Sequence, residues 1–174
     1  MCLRAGLRMP LFLAACGLSA AIACGEHATR EGDTGFYLVA AMAPSADALP
    51  APTRQQRIVR DDSKYPRDSE ATPVLYVLLS RRPDVVLTLA NAPVLQQKGP
   101  NGFAELQLEL TREAAADLER MTRKHLGQRV ALVVDGDVVT IHKIRSVISD
   151  GKVQLTRCTD NACQYLYTRL AKKR

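Results

Sequence analysis

Tryptophan is absent from the 174 residues, and phenylalanine occurs only three times. With 47% apolar residues a core is within reach, but it must be built from Val, Leu, Ile and Ala rather than from rings. Histidine is nearly as scarce: His27, His125 and His142 are too far apart to share a metal without a long loop folding back. No glycine-rich phosphate loop and no internal repeat is present. Ser146 and Ser149 have no nucleophile-elbow context. The acidic pairs Asp61-Asp62 and Asp68-Ser69-Glu70 lack the ligand spacing of a calcium loop and read as solvated charge. With no acid–base or nucleophile–base pair converging, the sequence predicts a protein that is not an enzyme and uses no metal or other cofactor.

Charge of one sign is not concentrated either. The 24 basic and 18 acidic residues give +6, and losing Arg4 and Arg8 with a leader leaves +4. Outside Lys172-Lys173-Arg174 the cations are interspersed with acids, so nucleic acid is not an expected partner.

What is present begins with the N-terminus. Arg4 and Arg8 make a positive n-region, and Met9 to Ala23 is a charge-free run rich in Leu and Ala. The run is short for a span of about 20 apolar residues and has the form of a secretory h-region. Leu13-Ala14-Ala15-Cys16 and, more loosely, Ala21-Ile22-Ala23-Cys24 resemble the lipobox of bacterial lipoproteins. That resemblance implies cleavage before a cysteine and a lipid anchor on it, with Cys24 favoured by leader length and Cys16 the alternative; ordinary secretion also fits Ala21-Ile22-Ala23. Gly follows each cysteine, which by the same analogy favours the outer membrane in a cell with two. Apart from Cys2 and the lipobox pair, the cysteines are Cys158 and Cys163, which an oxidising compartment would let pair across a short turn.

The organisation that follows is a leader at 1–23, a tether and Pro-rich loop region at 24–73 with a short strand near 36–40, and a domain at 74–174. A second short strand near Arg57-Ile58-Val59 fits within the loop region, and Val74 to Leu79 reads as a strand. From Phe103, Ala104, Leu106, Leu108 and Leu110 alternate with Glu105, Gln107 and Glu109, the pattern of a strand with one wet face. Thr111 is placed to cap a helix whose apolar face carries Ala114, Leu118, Met121 and His125, ending at Gly127. Val130 to Val134 and Val138 to Ile141 flank Asp135-Gly136, the signature of a type I′ hairpin. A further strand is expected over Lys143 to Ile148, a turn at Asp150-Gly151, a strand at Val153 to Leu155, and a closing helix from about Asn161 to Lys172. The fold class is α+β, an antiparallel sheet with two helices on one face.

The run from Phe103 to Ala115, followed by Thr122 to Val138, resembles the head of the first periplasmic domain of SecD, an accessory subunit of the Sec translocon. The resemblance covers about residues 74 to 155. It departs from the family at Thr140 to Ile144, where Ala-Pro is usual, at Asp150-Gly151, where the family has paired Gly, and at Cys158 and Cys163, which have no counterpart. SecD carries several membrane helices and this sequence shows no internal span, so the expectation is a head module alone on a lipid tether. The resemblance implies a non-catalytic binding module that captures extended polypeptide. The strand edge at Phe103, Glu105 and Gln107 and the hairpin at Asp135 and Gly136 are the candidate surface. The alternative is a structural lipoprotein for one specific envelope protein partner; a small hydrolase is the remotest reading.

Overall fold

The computed structural model describes residues 34–61, 75–96, 104–158 and 160–172. They form β1 (Gly35–Ala43), β2 (Gln56–Asp61), β3 (Leu75–Ser80), β4 (Val85–Val86), β5 (Val94–Gln96), β6 (Ala104–Glu109), α1 (Arg112–Lys124), β7 (Arg129–Val134), β8 (Asp137–Lys143), β9 (Lys152–Cys158) and α2 (Asp160–Ala171). Every strand pairing is antiparallel. The class is therefore α+β as expected, but the strands divide into two sheets. A six-stranded sheet runs β2-β3-β1-β7-β8 with β4 also on β1, and a three-stranded sheet runs β5-β6-β9.

The difference between strands with one wet face and strands with none decides how each reads in sequence. On β7, Ala131 and Val133 point into a small core with Tyr37, Val77 and Leu79, while Leu132 and Val134 point into the main core. Both faces are dry, so Val130 to Val134 is an unbroken apolar run. β6 keeps its alternation because Gln107 and Glu109 face solvent while Ala104, Leu106 and Leu108 are buried. Both helices bury into the same main core, α1 through Ala114, Leu118 and Met121 and α2 through Cys163, Leu166 and Leu170.

The stretch expected as tether and Pro-rich loop holds the two short strands expected in it, as β1 and β2, and both join the large sheet. β1 lies inside the large sheet: Gly35 to Leu38 pair with β7, and Val39 to Ala43 with β3. β3 and β4 share the other side of β1 in tandem, with the break between them closed by Asp84. Its amide donates to Phe36 O at 2.9 Å, and its carboxylate accepts from Leu38 N at 2.8 Å. The Pro- and Ala-rich composition after β1 hides a roof, a short 3-10 turn at Ala46–Ala48 that brings Leu49 onto Ala43 and Leu78.

Local signals otherwise act as their chemistry requires. Thr111 accepts from Ala114 N at 3.3 Å, satisfying one unpaired amide of the first turn of α1. Asp135 (φ 51°) and Gly136 (φ 86°) both adopt the positive φ that a two-residue hairpin needs. On α1 the fourth apolar position is replaced: Thr122 is buried and His125 half-exposed. The Thr122 hydroxyl donates to Leu118 O at 2.8 Å and accepts from Ile148 N at 3.1 Å.

That contact explains a second correction. The expected strand over Lys143 to Ile148 ends with β8 at Lys143. Ile144 donates to Gln128 O at 2.8 Å and accepts from Gly127 N at 2.9 Å. Its backbone groups, like the amide of Ile148, are committed to the end of α1 and the start of β7, so no new ladder forms.

Gly151 then starts β9. Its carbonyl accepts from Leu110 N at 3.0 Å, its φ is +65°, and a Cβ there would stand 2.7 Å from Ala115 Cβ. Gly151→Ala combines a left-handed backbone penalty with a clash against α1, and a loss of about 2–4 kcal/mol in urea unfolding is expected. An unchanged midpoint would contradict this reading of the turn.

Candidate functional site

A cleft of about 700 Å³ opens between the large sheet and β9. Its floor is the face of the large sheet that carries Phe36, Val130 and Leu132, joined by Leu118 of α1. The segment after β8 forms one wall. The other wall is β9, from which Lys152, Val153, Gln154 and Leu155 all border the cleft. Side chains alternate faces along a strand, so four consecutive lining residues mean that the cleft runs along the strand's edge.

The hydrogen-bond phase of that edge follows from the pairing. Leu110 N–H donates to Gly151 O, and the register continues Leu108 to Val153 and Leu106 to Leu155. In an antiparallel ladder bonded pairs alternate with non-bonded ones, so the N–H and C=O of Val153 and Leu155 face β6. Those of Gln154, which stands opposite Gln107, face the other way. The outward amide of Lys152 is capped by Asp150 Oδ1 at 3.1 Å. β9 is the terminal strand of its sheet, so Gln154 presents one donor and one acceptor on an edge beside an apolar floor.

Of the residues expected at a sheet edge and hairpin, Glu105, Gln107, Asp135 and Gly136 do not line this cleft. β6 has β5 on one side and β9 on the other, so the strand from Ala104 is the middle of its sheet and not an edge. Phe103 is outside the described residues. Glu105 is buried, its carboxylate held by the Gln154 side-chain amide. Gln107 is exposed on the solvent face of the small sheet, where a shallower depression also touches Glu109 and Lys152.

The hairpin is a joint. Asp135 exchanges hydrogen bonds with Thr34, its amide reaching Thr34 Oγ1 at 2.9 Å and its carboxylate accepting from that hydroxyl at 3.3 Å. Arg169 of α2 donates Nε to Asp135 at 2.6 Å, Nη1 to Asp137 at 3.1 Å and Nη1 to Tyr165 Oη at 2.7 Å. Burial disfavours the guanidinium charge, but its hydrogen bonds to the Asp135 and Asp137 carboxylates outweigh this and hold the proton more tightly than usual. Gly136 supplies the turn that places the two carboxylates around Arg169. This clasp fixes α2 to the large sheet and engages both oxygens of the Asp135 carboxylate within the fold.

Cys163 is fully buried in the main core. Cys158 closes β9, with its side chain outside the described residues, as are Cys16 and Cys24. His125 meets Gln128 at 3.2 Å and His142 meets Thr140 at 2.8 Å, so each has a local hydrogen-bond partner. Among the described residues no cluster of three or more His, Cys, Asp or Glu could hold a metal. No helix among them is long and apolar enough to cross a membrane.

Sequence reading missed the β9 edge because Val153-Gln154-Leu155 is a short strand with no mark of its place in a sheet. The one signal was its position after Gly151, a turn glycine that begins the sheet's last strand.

Comparison with known proteins bears on this geometry. The sequence pattern of the SecDF P1 head subdomain matches residues 66–170. The chain is 35% identical over 60 residues to the protein translocase subunit SecD of Koribacter versatilis (strain Ellin345), a stretch covering 34% of this chain and 11% of that relative. The chain thus spans only a small part of its relative's length. A solved structure of SecDF, a membrane component that enhances protein export, is 27% identical and covers 48% of this chain and 37% of its own, with a TM-score of 0.42. SecDF from Thermus thermophilus, a translocon-associated membrane protein, is 14% identical and covers 80% of this chain and 29% of its own, also with a TM-score of 0.42. The family match reaches beyond the 74 to 155 region of resemblance and takes in α2 and its Arg169 clasp, while β1 and β2 lie outside it. With well over half its length matched, this chain belongs to the SecDF P1 head subdomain family.

Proposed function

We propose that this chain is a non-catalytic module of the cell envelope that holds extended polypeptide, in the service of protein export. The observation that carries the reading is the outward N–H and C=O of Gln154 on the free edge of β9, set beside the apolar floor of the cleft. An incoming strand gains main-chain hydrogen bonds from such an edge and buries alternate side chains on the floor. Recognition through backbone groups is indifferent to most of the sequence, which suits a client that varies. The names of the relatives, a protein translocase subunit and a component that enhances export, support the link to export.

The same proposal includes the anchor. A leader ending at Cys24, or alternatively at Cys16, would leave the mature chain with acyl groups on its first cysteine. Each buried CH₂ contributes about 0.8 kcal/mol, so two or three chains hold it at the membrane surface. Residues 25–33 would then be the tether between lipid and β1. In that oxidising compartment Cys158 pairs with Cys163, tying the end of β9 to α2. Cys163 is fully buried at the start of α2, five residues beyond Cys158 at the end of β9, which supports this pairing.

Two outcomes are expected. Titration of the mature protein with a peptide of alternating apolar residues gives a Kd below about 1 mM. The same peptide N-methylated at every second amide no longer binds, and neither does the original peptide with the Gln154→Pro protein, whose lost N–H is not used in pairing with β6. Equal binding by the methylated peptide would rule out edge pairing, whatever the stability of the proline variant. Separately, the intact mass of the membrane-extracted protein corresponds to a chain beginning at Cys24 with lipid attached and two hydrogens fewer than the dithiol. A lipidated chain beginning at Cys16 would move the anchor to the alternative cysteine, and a chain without lipid would refute it.

A further inference from the structure

We infer that the segments held in the β9 cleft are acidic as well as apolar, runs in which Asp or Glu alternate with Val, Leu, Ile or Phe. This rests on the polypeptide-holding reading above and adds the chemistry of the client. A strand lying along β9 turns alternate side chains towards the floor and away from it. The floor side meets Phe36, Val130 and Leu132. The other side meets the rim, where Lys143, Arg145 and Lys152 all line the cleft and are exposed.

The rim is one-signed. No Asp or Glu is among the described residues that line the cleft. On the nearby surface of α1, charges of both signs are already matched within the helix, Arg120 with Asp117 and Arg123 with Glu119. Lys152 has Glu109 across the ladder and Asp150 at its own amide, so part of its field is compensated. Lys143 and Arg145 pair with no carboxylate among the described residues. They stand at the end of β8 and just after it, in the segment whose backbone is held by Gln128, Gly127 and Thr122. Two cations on an anchored wall, opposite a strand edge, favour a strand with carboxylates on its outer side and repel one with ammonium groups there.

The test compares two peptides on the mature protein, identical in their apolar positions and carrying Glu or Lys at the alternate ones. The Glu peptide is expected to bind about tenfold tighter at low ionic strength, the sum of a few exposed ion pairs. The preference shrinks to within about twofold at 1 M salt, where the screening length is about 3 Å. It reverses in the double variant Lys143→Glu, Arg145→Glu, both exposed positions whose melting temperature serves as the check on folding. Equal affinities in dilute salt, or tighter binding of the Lys peptide, would overturn the charge preference while leaving polypeptide holding intact. If neither peptide binds, both readings fall together. Displacement of the Glu peptide by vesicles of anionic phospholipid would give the rim to the membrane and overturn the inference.

Discussion

Phe36, Leu132, Val134 and Val139 project from one face of the six-stranded sheet, and burying that apolar surface is the constraint that organises the molecule. The chain meets it with three separate pieces: α1 through Leu118, the small sheet through Leu106 and Leu155, and α2 through Leu166. A fully buried Leu contributes roughly 1.5–3 kcal/mol, so these contacts dominate the assembly of the second layer. The pieces do not tile the face completely. Between the end of β8 and the edge of β9 the floor remains reachable, and that gap is the cleft.

Three contacts hold the layers, and two of them, at Thr122 and Gly151, adjoin the gap. Arg169 joins α2 to Asp135 and Asp137 on the hairpin of the large sheet. The Thr122 hydroxyl joins α1 to the segment after β8. Gly151 fixes where β9 begins and which of its amides face β6. Each is a polar or steric contact at the margin of a largely aliphatic core. An edge with main-chain groups beside an apolar floor fits the proposed holding of a strand.

Much of this was legible in the sequence, for physical reasons that differ by element. The alternation on β6 was readable because one face is wet, the cap at Thr111 because an unpaired amide needs an oxygen, and the hairpin because Asp135-Gly136 accepts positive φ. The place of β1 in the sheet was not, because a run apolar from Phe36 to Ala43 and followed by a Pro-rich roof shows neither alternation nor a clear end. Reasoning from β propensity fails for the run after Lys143, where Ile144 and Ile148 are apolar but their amides are bonded to Gln128 and Thr122. The expectation of a sheet edge at β6 failed for a related reason: alternation marks a strand with a wet face, and says nothing about whether its edges are paired. β6 has the stronger pattern and lies in the middle; β9 has the weaker pattern and lies at the rim.

The central claim is that an extended chain is held on the edge of β9, and the Gln154 amide reports on it most directly. Hydrogen exchange of that amide, read by NMR on the mature protein with and without a saturating alternating peptide, isolates one backbone bond from all side-chain contacts. The account predicts fast exchange in the free protein and strong protection in the complex, with the amides of Val153 and Leu155 protected in both, as members of the ladder with β6. Protection of Gln154 already in the free protein, or its continued fast exchange in a saturated complex, would contradict it.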